Sequence, residues 1–193
     1  MNILDSKYSF LRIIAGHLKG RKFDAPKGGD TVRPISDRVK ESLFDILAPK
    51  MENAKILDLY SGTGAIGFEA LSRGAQSVLF VEKDARNITL IRENAEKLGL
   101  TPLISVLRGT LPNIIAKIHG SFDLVFIDPP FPTETIFEIM PELKKQNLIA
   151  PHTLIMVQRF RGSKDLCFEG FTLQRKHRVG DSMLWFFTLL DEK

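Results

Sequence analysis

A single cysteine, Cys167, stands among 193 residues, so no disulfide can form within the chain. The four histidines, His17, His119, His152 and His177, are scattered without metal-ligand spacing, and no structural metal is expected. No apolar run approaches the roughly 18–20 residues that span a bilayer, and Met1 to Phe10 lacks the apolar core of a signal peptide. The expectation is a soluble, cytoplasmic chain. Internal repeats and low-complexity segments are missing too, which sets aside repeat architectures. What remains is one ordinary globular core: 44% of the residues are hydrophobic and 26% charged, and two full domains would be cramped in this length.

The net charge of +4 is unevenly spread. Residues 1–50 carry ten Lys or Arg against six Asp or Glu, whereas residues 51–193 carry seventeen of each. The basic excess therefore belongs to the first quarter of the chain. A surface of that kind suits the neutralisation of phosphates, although a solvated face would have the same composition.

That quarter, residues 1–50, reads as an extension. Phe10 to Phe23 alternates loosely around Gly16 and Gly20, as a short hairpin would, and runs into the loop Pro26-Lys27-Gly28-Gly29-Asp30. After Pro34, Ser36 can cap a helix whose Val39, Leu43, Ile46 and Leu47 share one face, ending near Pro49. Residues 51–193 read as an α/β domain. Apolar Ile56–Tyr60 leads into a helix over Gly64–Arg73, then the strand Val78–Glu82 and a helix bearing Ile88, Ile91, Ala95 and Leu98. The alternation continues with Leu103–Leu107, a short helix Leu111–Ile118 and the strand Phe122–Ile127. A helix from Thr133 follows, which Pro141 should interrupt or kink. Leu154–Gln158 is a further strand, and Phe171–Arg178 and Met183–Leu190 flank a turn short enough to make them an antiparallel pair.

In a mostly parallel sheet, ligands bind beyond the carboxyl ends of the strands, where the winding reverses. That point lies between the first and fourth strands of the domain, so the segments after Tyr60 and after Ile127 should face one crevice. The first of them contains Gly62, Gly64 and Gly67 in a G-x-G-x-x-G pattern between strand and helix, with Ser61 beside it. Glu82, at the end of the second strand, is placed to accept the hydroxyls of a ribose. A nucleoside cofactor follows. Asp58, just before the loop, would repel a pyrophosphate but attract an ammonium, which favours S-adenosylmethionine over a dinucleotide such as NAD. The dinucleotide stays open if Asp58 instead holds loop amides.

The second segment is Asp128-Pro129-Pro130-Phe131. Two prolines stiffen it, so that the Asp128 carboxyl and the Pro129 carbonyl can be fixed side by side as acceptors. Two such acceptors would orient an exocyclic amine whose lone pair is delocalised into its ring, and Phe131 offers a face on which a base turned out of its stack could lie. The tetrapeptide itself leaves open adenine in DNA, an amide in a protein, or a non-catalytic RNA-binding module.

These residues resemble the amino-methyltransferases with an Asn/Asp-Pro-Pro-Tyr/Phe motif, and in particular the RsmD-type enzymes that methylate guanine N2 in small-subunit ribosomal RNA. Four stretches carry the resemblance: Arg12-Ile13-Ile14-Ala15-Gly16 with Gly20-Arg21; Arg33-Pro34 through Asp37-Arg38-Val39-Lys40-Glu41 to Leu43-Phe44; Asp58 to Ala75; and Asp128 to Phe131. The resemblance implies a Rossmann-like sheet with a reversed final strand, S-adenosylmethionine as donor, and a guanine of 16S ribosomal RNA within an assembling small subunit, acted on by a monomer. It implies cofactor contacts from Asp58, Ser61, Gly62, Gly64, Glu82, Lys83, Gly109 and Thr110, and phosphate contacts from Arg12, Lys19, Arg21, Arg33 and Arg38. The chain departs from the pattern in two places. Arg108-Gly109-Thr110 stands where an acidic or amide residue often holds the adenine amino group, and Gln158 stands where a glutamate is expected.

Overall fold

The computed structural model describes residues 8–26, 35–130 and 134–190. Its first element is an antiparallel hairpin, β1 (Tyr8–Arg12) and β2 (Lys22–Pro26), in which Arg12 pairs with Lys22. Helix α1 (Asp37–Leu47) starts where the Ser36 hydroxyl accepts the Val39 N–H at 3.3 Å, and it buries Val39, Leu43, Phe44 and Leu47 along one side. Pro49 lies in a short 3-10 turn that ends it. The loop over residues 27–30, Arg33 and Pro34 lie outside the described residues.

The alternating part follows as β3 (Lys55–Leu59), α2 (Ala65–Ser72), β4 (Ser77–Glu82), α3 (Ala85–Leu98), β5 (Ile104–Arg108), β6 (Phe122–Ile127), α4 (Ile136–Lys145), β7 (Ile149–Phe160), β8 (Phe171–Val179) and β9 (Ser182–Leu189). The strands form one sheet in the order β5-β4-β3-β6-β7-β9-β8. Neighbours from β5 through β7 are parallel, while β9 runs antiparallel to both β7 and β8. The chain winds outward from β3 to β5 and returns to β6 on the other side of β3. The reversal of winding therefore falls between β3 and β6, as the sequence predicts.

Both faces of the sheet are covered, which explains the near-continuous apolar strands. One face carries Ile56, Phe80, Phe126, Met156, Leu184 and Phe186 against α1, α2, α3 and the hairpin. The other carries Leu57, Leu59, Val125, Ile127, Val157 and Trp185 against α4 and a 3-10 turn, Asn113–Lys117. Helix α2 is buried at every position, wedged between the sheet and the hairpin. The Arg73 guanidinium lies 4.8 Å from the Phe44 ring centre, joining the end of α2 to α1.

Three local expectations are revised. Helix α4 continues through Pro141 instead of being interrupted there, because that residue is exposed and the carbonyl it leaves without a partner, on exposed Phe137, can be hydrated. The short helix expected over Leu111–Ile118 is the five-residue 3-10 turn. Strand β7 begins five residues earlier than expected, at Ile149, with a register shift between Phe122 and Leu124 of β6 that admits the extra length. The start of the helix expected at Thr133 lies outside the described residues.

The hairpin is fixed to the sheet by buried polar groups. Glu69, fully buried on α2, accepts the backbone N–H groups of Ile14 (2.8 Å) and Ala15 (3.0 Å) and the Arg73 Nε–H (2.8 Å). The Ser72 hydroxyl donates to the Ala15 carbonyl at 2.6 Å and accepts the Leu18 N–H at 3.0 Å. Gly16, with φ at +82°, is pressed so close that a Cβ would lie 1.8 Å from the Ser72 carbonyl oxygen. Lys40, also buried, donates to the Arg12 carbonyl at 2.9 Å and lies 3.4 Å from Asp37. Arg12-Ile13-Ile14-Ala15-Gly16 is thus a docking sequence: the Ile14 and Ala15 N–H groups and the Arg12 and Ala15 carbonyls meet partners on α1 and α2, while Ile13 and the Gly16 carbonyl bond within the hairpin.

Candidate active site

At the carboxyl edge of the sheet the segments after β5, β4, β3 and β6 lie side by side in that order. The segment after β3 turns sharply, with φ of +61° at Tyr60, +53° at Gly62 and +77° at Gly64, the residue that opens α2. The third glycine of the pattern has a different job. A Cβ at Gly67 would fall 2.2 Å from the Phe80 ring, so this position lets α2 approach β4. The Ser61 hydroxyl donates to the Asp58 carbonyl at 2.6 Å, closing the turn.

Glu82 binds these segments together. Its Oε2 accepts the Gly62 N–H at 2.8 Å, its Oε1 accepts the Lys83 and Asp84 N–H groups at 2.8 and 2.9 Å, and its carbonyl accepts the Gly109 N–H at 3.0 Å. One residue therefore holds the turns after β3, β4 and β5. Oε2, with a single amide partner, keeps acceptor capacity for a hydroxyl. Lys83 and Thr110 are exposed at the rim, and Gly109 packs against Ile114, where a Cβ would come within 2.4 Å of its side chain.

Two carboxyls face the crevice from one side of the sheet. Asp58 pairs with Phe126 in the β3–β6 register, so Asp128, two residues beyond Phe126, points to the same face. Asp58 is 2% exposed, and its Oδ2 is buried with no hydrogen-bond partner among the described residues. Burial pushes its carboxyl up to about 8, the negative charge of Asp128 adds to the rise, and the Gly67 N–H pulls the other way. Asp128 keeps some open surface, yet burial lifts its carboxyl to about 7. Pro129 is buried and Pro130 exposed, while Phe131 lies outside the described residues. A buried acceptor without a donor at Asp58, a glutamate with spare capacity, and glycine turns open to close approach fit the ammonium and ribose of S-adenosylmethionine better than a pyrophosphate.

Two further features were not anticipated. The Tyr60 hydroxyl lies 2.6 Å from the Thr135 hydroxyl, joining the turn after β3 to the start of α4. Gln158 follows Val157, the partner of Ile127, and so stands beside Asp128; its Oε1 is buried with no hydrogen-bond partner among the described residues. Glu69 was missed as well. The sequence signal for it is a lone glutamate in the otherwise small and apolar helix Ala65–Ser72.

The basic residues are not gathered in one place. Lys19 and Arg21 are exposed near the hairpin tip, where the His17 N–H donates to the Ser72 carbonyl and Arg21 donates to the Lys97 carbonyl at 2.9 Å. Ser72 and Lys97 end α2 and α3, helices that start at the crevice, so this tip lies at the opposite edge of the sheet. Arg12 is exposed and pairs with Asp37 at 2.9 Å. Arg38 is exposed in the first turn of α1, one turn before Ser42, whose hydroxyl is 2.7 Å from His177 Nε2. His177, Leu184, Gln158 and Asp128 form a single row across β8, β9, β7 and the end of β6, so this part of α1 overlies the row that ends at the crevice. Arg33 lies outside the described residues.

The sheet order, the reversed last strand and the carboxyl-edge crevice define the class: a Rossmann-like fold of the S-adenosylmethionine-dependent methyltransferases. A putative methyltransferase from Escherichia coli superposes with a TM-score of 0.83 at 30% identity, covering 94% of this chain and 98% of its own. An RNA methyltransferase from Salinibacter ruber in complex with S-adenosyl-L-homocysteine, 17% identical, shares the fold with a TM-score of 0.64 over 83% of this chain and 96% of its own. The conserved hypothetical protein 95 family matches residues 11–188, and the chain belongs to it, the RsmD family. The ribosomal RNA small subunit methyltransferase D of Haemophilus influenzae is 32% identical over 173 residues, 88% of this chain and 89% of that protein.

Proposed function

We propose that this chain transfers a methyl group from S-adenosylmethionine to the exocyclic N2 amine of a guanine in 16S ribosomal RNA, presented by an assembling small subunit, and that it works as a cytoplasmic monomer. The observation that carries the reading is the placement of Asp128 and Pro129 at the end of β6, one strand from the Gly62–Gly64 turn and on the same face as Asp58. The name of the Haemophilus relative supports methyl transfer to ribosomal RNA, and the ligand of the Salinibacter neighbour supports the donor.

In this reading Asp58 attracts the ammonium of the cofactor and Glu82 Oε2 accepts a ribose hydroxyl. Ser61, Gly62, Gly64 and Lys83 shape the backbone around them, and Gly109 and Thr110 meet the adenine. The bound cofactor supplies an electrophilic methyl on a sulfonium. Asp128 and the Pro129 carbonyl accept the two N–H groups of the target amine, turning its lone pair toward that methyl, while Pro130 and Phe131 support the base. Charge appears on nitrogen as the methyl arrives, and the Asp128 carboxyl, raised to about 7, is matched to take the released proton near neutral pH. Arg38 holds a phosphate beside the crevice, Arg33 is a further phosphate contact that the family resemblance implies, and Arg12, Lys19 and Arg21 are weaker contacts away from the crevice. RNA contact at the tip requires a substrate that reaches from one edge of the sheet to the other, as a folded ribosomal segment does.

Radiolabelled S-adenosylmethionine with small ribosomal subunits, precursor RNA, DNA and bulk protein tests the reading. Label in ribosomal RNA, recovered as N2-methylguanosine after digestion, is expected. Label confined to DNA or protein overturns it.

A further inference from the structure

We propose that Gln158 is a specificity-determining residue that reads the pairing edge of the target guanine beside Asp128. The inference rests on the function proposed above and deepens it, by naming how guanine is told from other bases that carry an amine.

Three observations lead to it. Gln158 is adjacent to Asp128 by register, since Val157 pairs with Ile127 and the next residues of two parallel strands share a face. On its other side it pairs with Leu184, which is fully buried and apolar, and Met156 lies one step down the strand with 1% exposure. Its Oε1 is buried with no hydrogen-bond partner among the described residues, although buried amide oxygens are nearly always paired. Strand registry has thus set two acceptors next to each other at the crevice, with no donor from the neighbouring strand positions to satisfy the second.

The chemistry of the bases decides what fits such a pair. Guanine presents, in order, the N2 amine, the N1–H donor and the O6 acceptor. Asp128 accepts from the amine, Gln158 Oε1 accepts from N1–H, and Gln158 Nε2 donates to O6. The protein edge reads acceptor, acceptor, donor, the same order that cytosine offers guanine in a base pair. Adenine and cytosine each place a bare ring nitrogen beside the amine, and that lone pair would face the Gln158 oxygen. A site with an unpaired buried polar group rejects a ligand that cannot complete its hydrogen bonds far more strongly than an apolar pocket rejects a misfit. Gln158 would act in selection, leaving the methyl transfer itself to Asp128 and Pro129.

The test uses the 193-residue chain and an RNA containing the methylated position, assembled into small-subunit particles, once that position is mapped by label. The RNA is prepared with guanine or with 2-aminopurine there; the two share the 2-amino group, but 2-aminopurine lacks N1–H and O6. Wild type is expected to favour guanine by about 100-fold or more in kcat/KM. Gln158→Leu, which keeps the bulk and removes the amide, should reduce that ratio to within about threefold, through loss of activity on guanine. Gln158→Glu, which keeps the acceptor and loses the donor, should retain an intermediate preference. S-adenosylmethionine affinity should stay at the wild-type value in both variants, which reports that the fold is intact. A wild-type ratio in Gln158→Leu overturns the inference while leaving the methyltransferase reading in place. Failure of the wild type to label ribosomal RNA at all overturns both.

Discussion

Two carboxylates buried on the same side of the sheet have opposite surroundings. Glu69, under the hairpin, is saturated by two backbone amides and the Arg73 guanidinium. Asp58, under the crevice, is buried as deeply, but one of its oxygens meets no donor among the described residues and its carboxyl rises to about 8. A buried carboxylate with all its hydrogen bonds made joins elements of the fold. One left incomplete weakens the empty protein and gains most when a cation or donor arrives. The hairpin joint is built for the folded state, and the crevice for the bound one.

Substitutions can break this contrast, and the largest effect is expected at the crevice. Asp128→Ala should lower kcat by about 10³-fold, because the proposed acceptor at the reacting nitrogen is lost, while the cofactor Kd measured by calorimetry stays within about threefold. Glu69→Ala should show the converse. Two amides and a guanidinium lose their acceptor, and denaturant titration should find about 3 kcal/mol less stability, with cofactor affinity unchanged in the protein that remains folded. Comparable losses of affinity and stability in either variant would erase the distinction between the regions.

Asp58→Asn sharpens it further. The variant should bind S-adenosylmethionine about tenfold more weakly, since the ammonium loses its proposed counter-charge. It should also change how stability depends on pH. A carboxyl raised from 3.8 to about 8 in the folded protein binds its proton more tightly than in the unfolded chain. Its contribution is complete below about pH 4 and is lost as pH rises through 8. The ligand-free wild type should therefore lose thermal stability between pH 5 and 8.5, and Asp58→Asn should lose less; parallel melting curves would contradict the buried titration. Over the same range wild-type kcat/KM should climb as Asp128, raised to about 7, ionises to accept the amine. The smallest effect belongs to the far edge: Lys19→Glu should change kcat/KM for RNA by less than about twofold, against about fivefold for Arg38→Glu, with salt held constant.

The crevice was far more legible in the sequence than the joint. Strand–turn–helix grammar, a glycine pattern and a stiff Asp-Pro-Pro segment are local signals, and the order of elements alone brings Asp58, Glu82 and Asp128 to one edge. Arg12-Ile13-Ile14-Ala15-Gly16 gives no such signal, because the partners that explain it, Glu69 and Ser72, are more than fifty residues away and meet it only after docking. The same holds for Lys40, which a helical wheel places toward the core with no hint of the Arg12 carbonyl that receives it. Gln158 stood out in the sequence only as a departure from a family pattern. Its meaning came from the β6–β7 register, which fixes its neighbour, and from an oxygen with no donor.

Glu82 carries one more consequence. Because its carboxylate and carbonyl gather amides from the turns after β3, β4 and β5, the entropy of ordering those turns is lost once, during folding, and need not be lost again when a nucleoside enters. Binding should then be governed by contacts rather than by reorganisation, with a fast association step and selectivity expressed in the rate of release. It follows that weakened binding in a Glu82 variant cannot be assigned to a lost ribose contact alone, since three turns would be loosened by the same change.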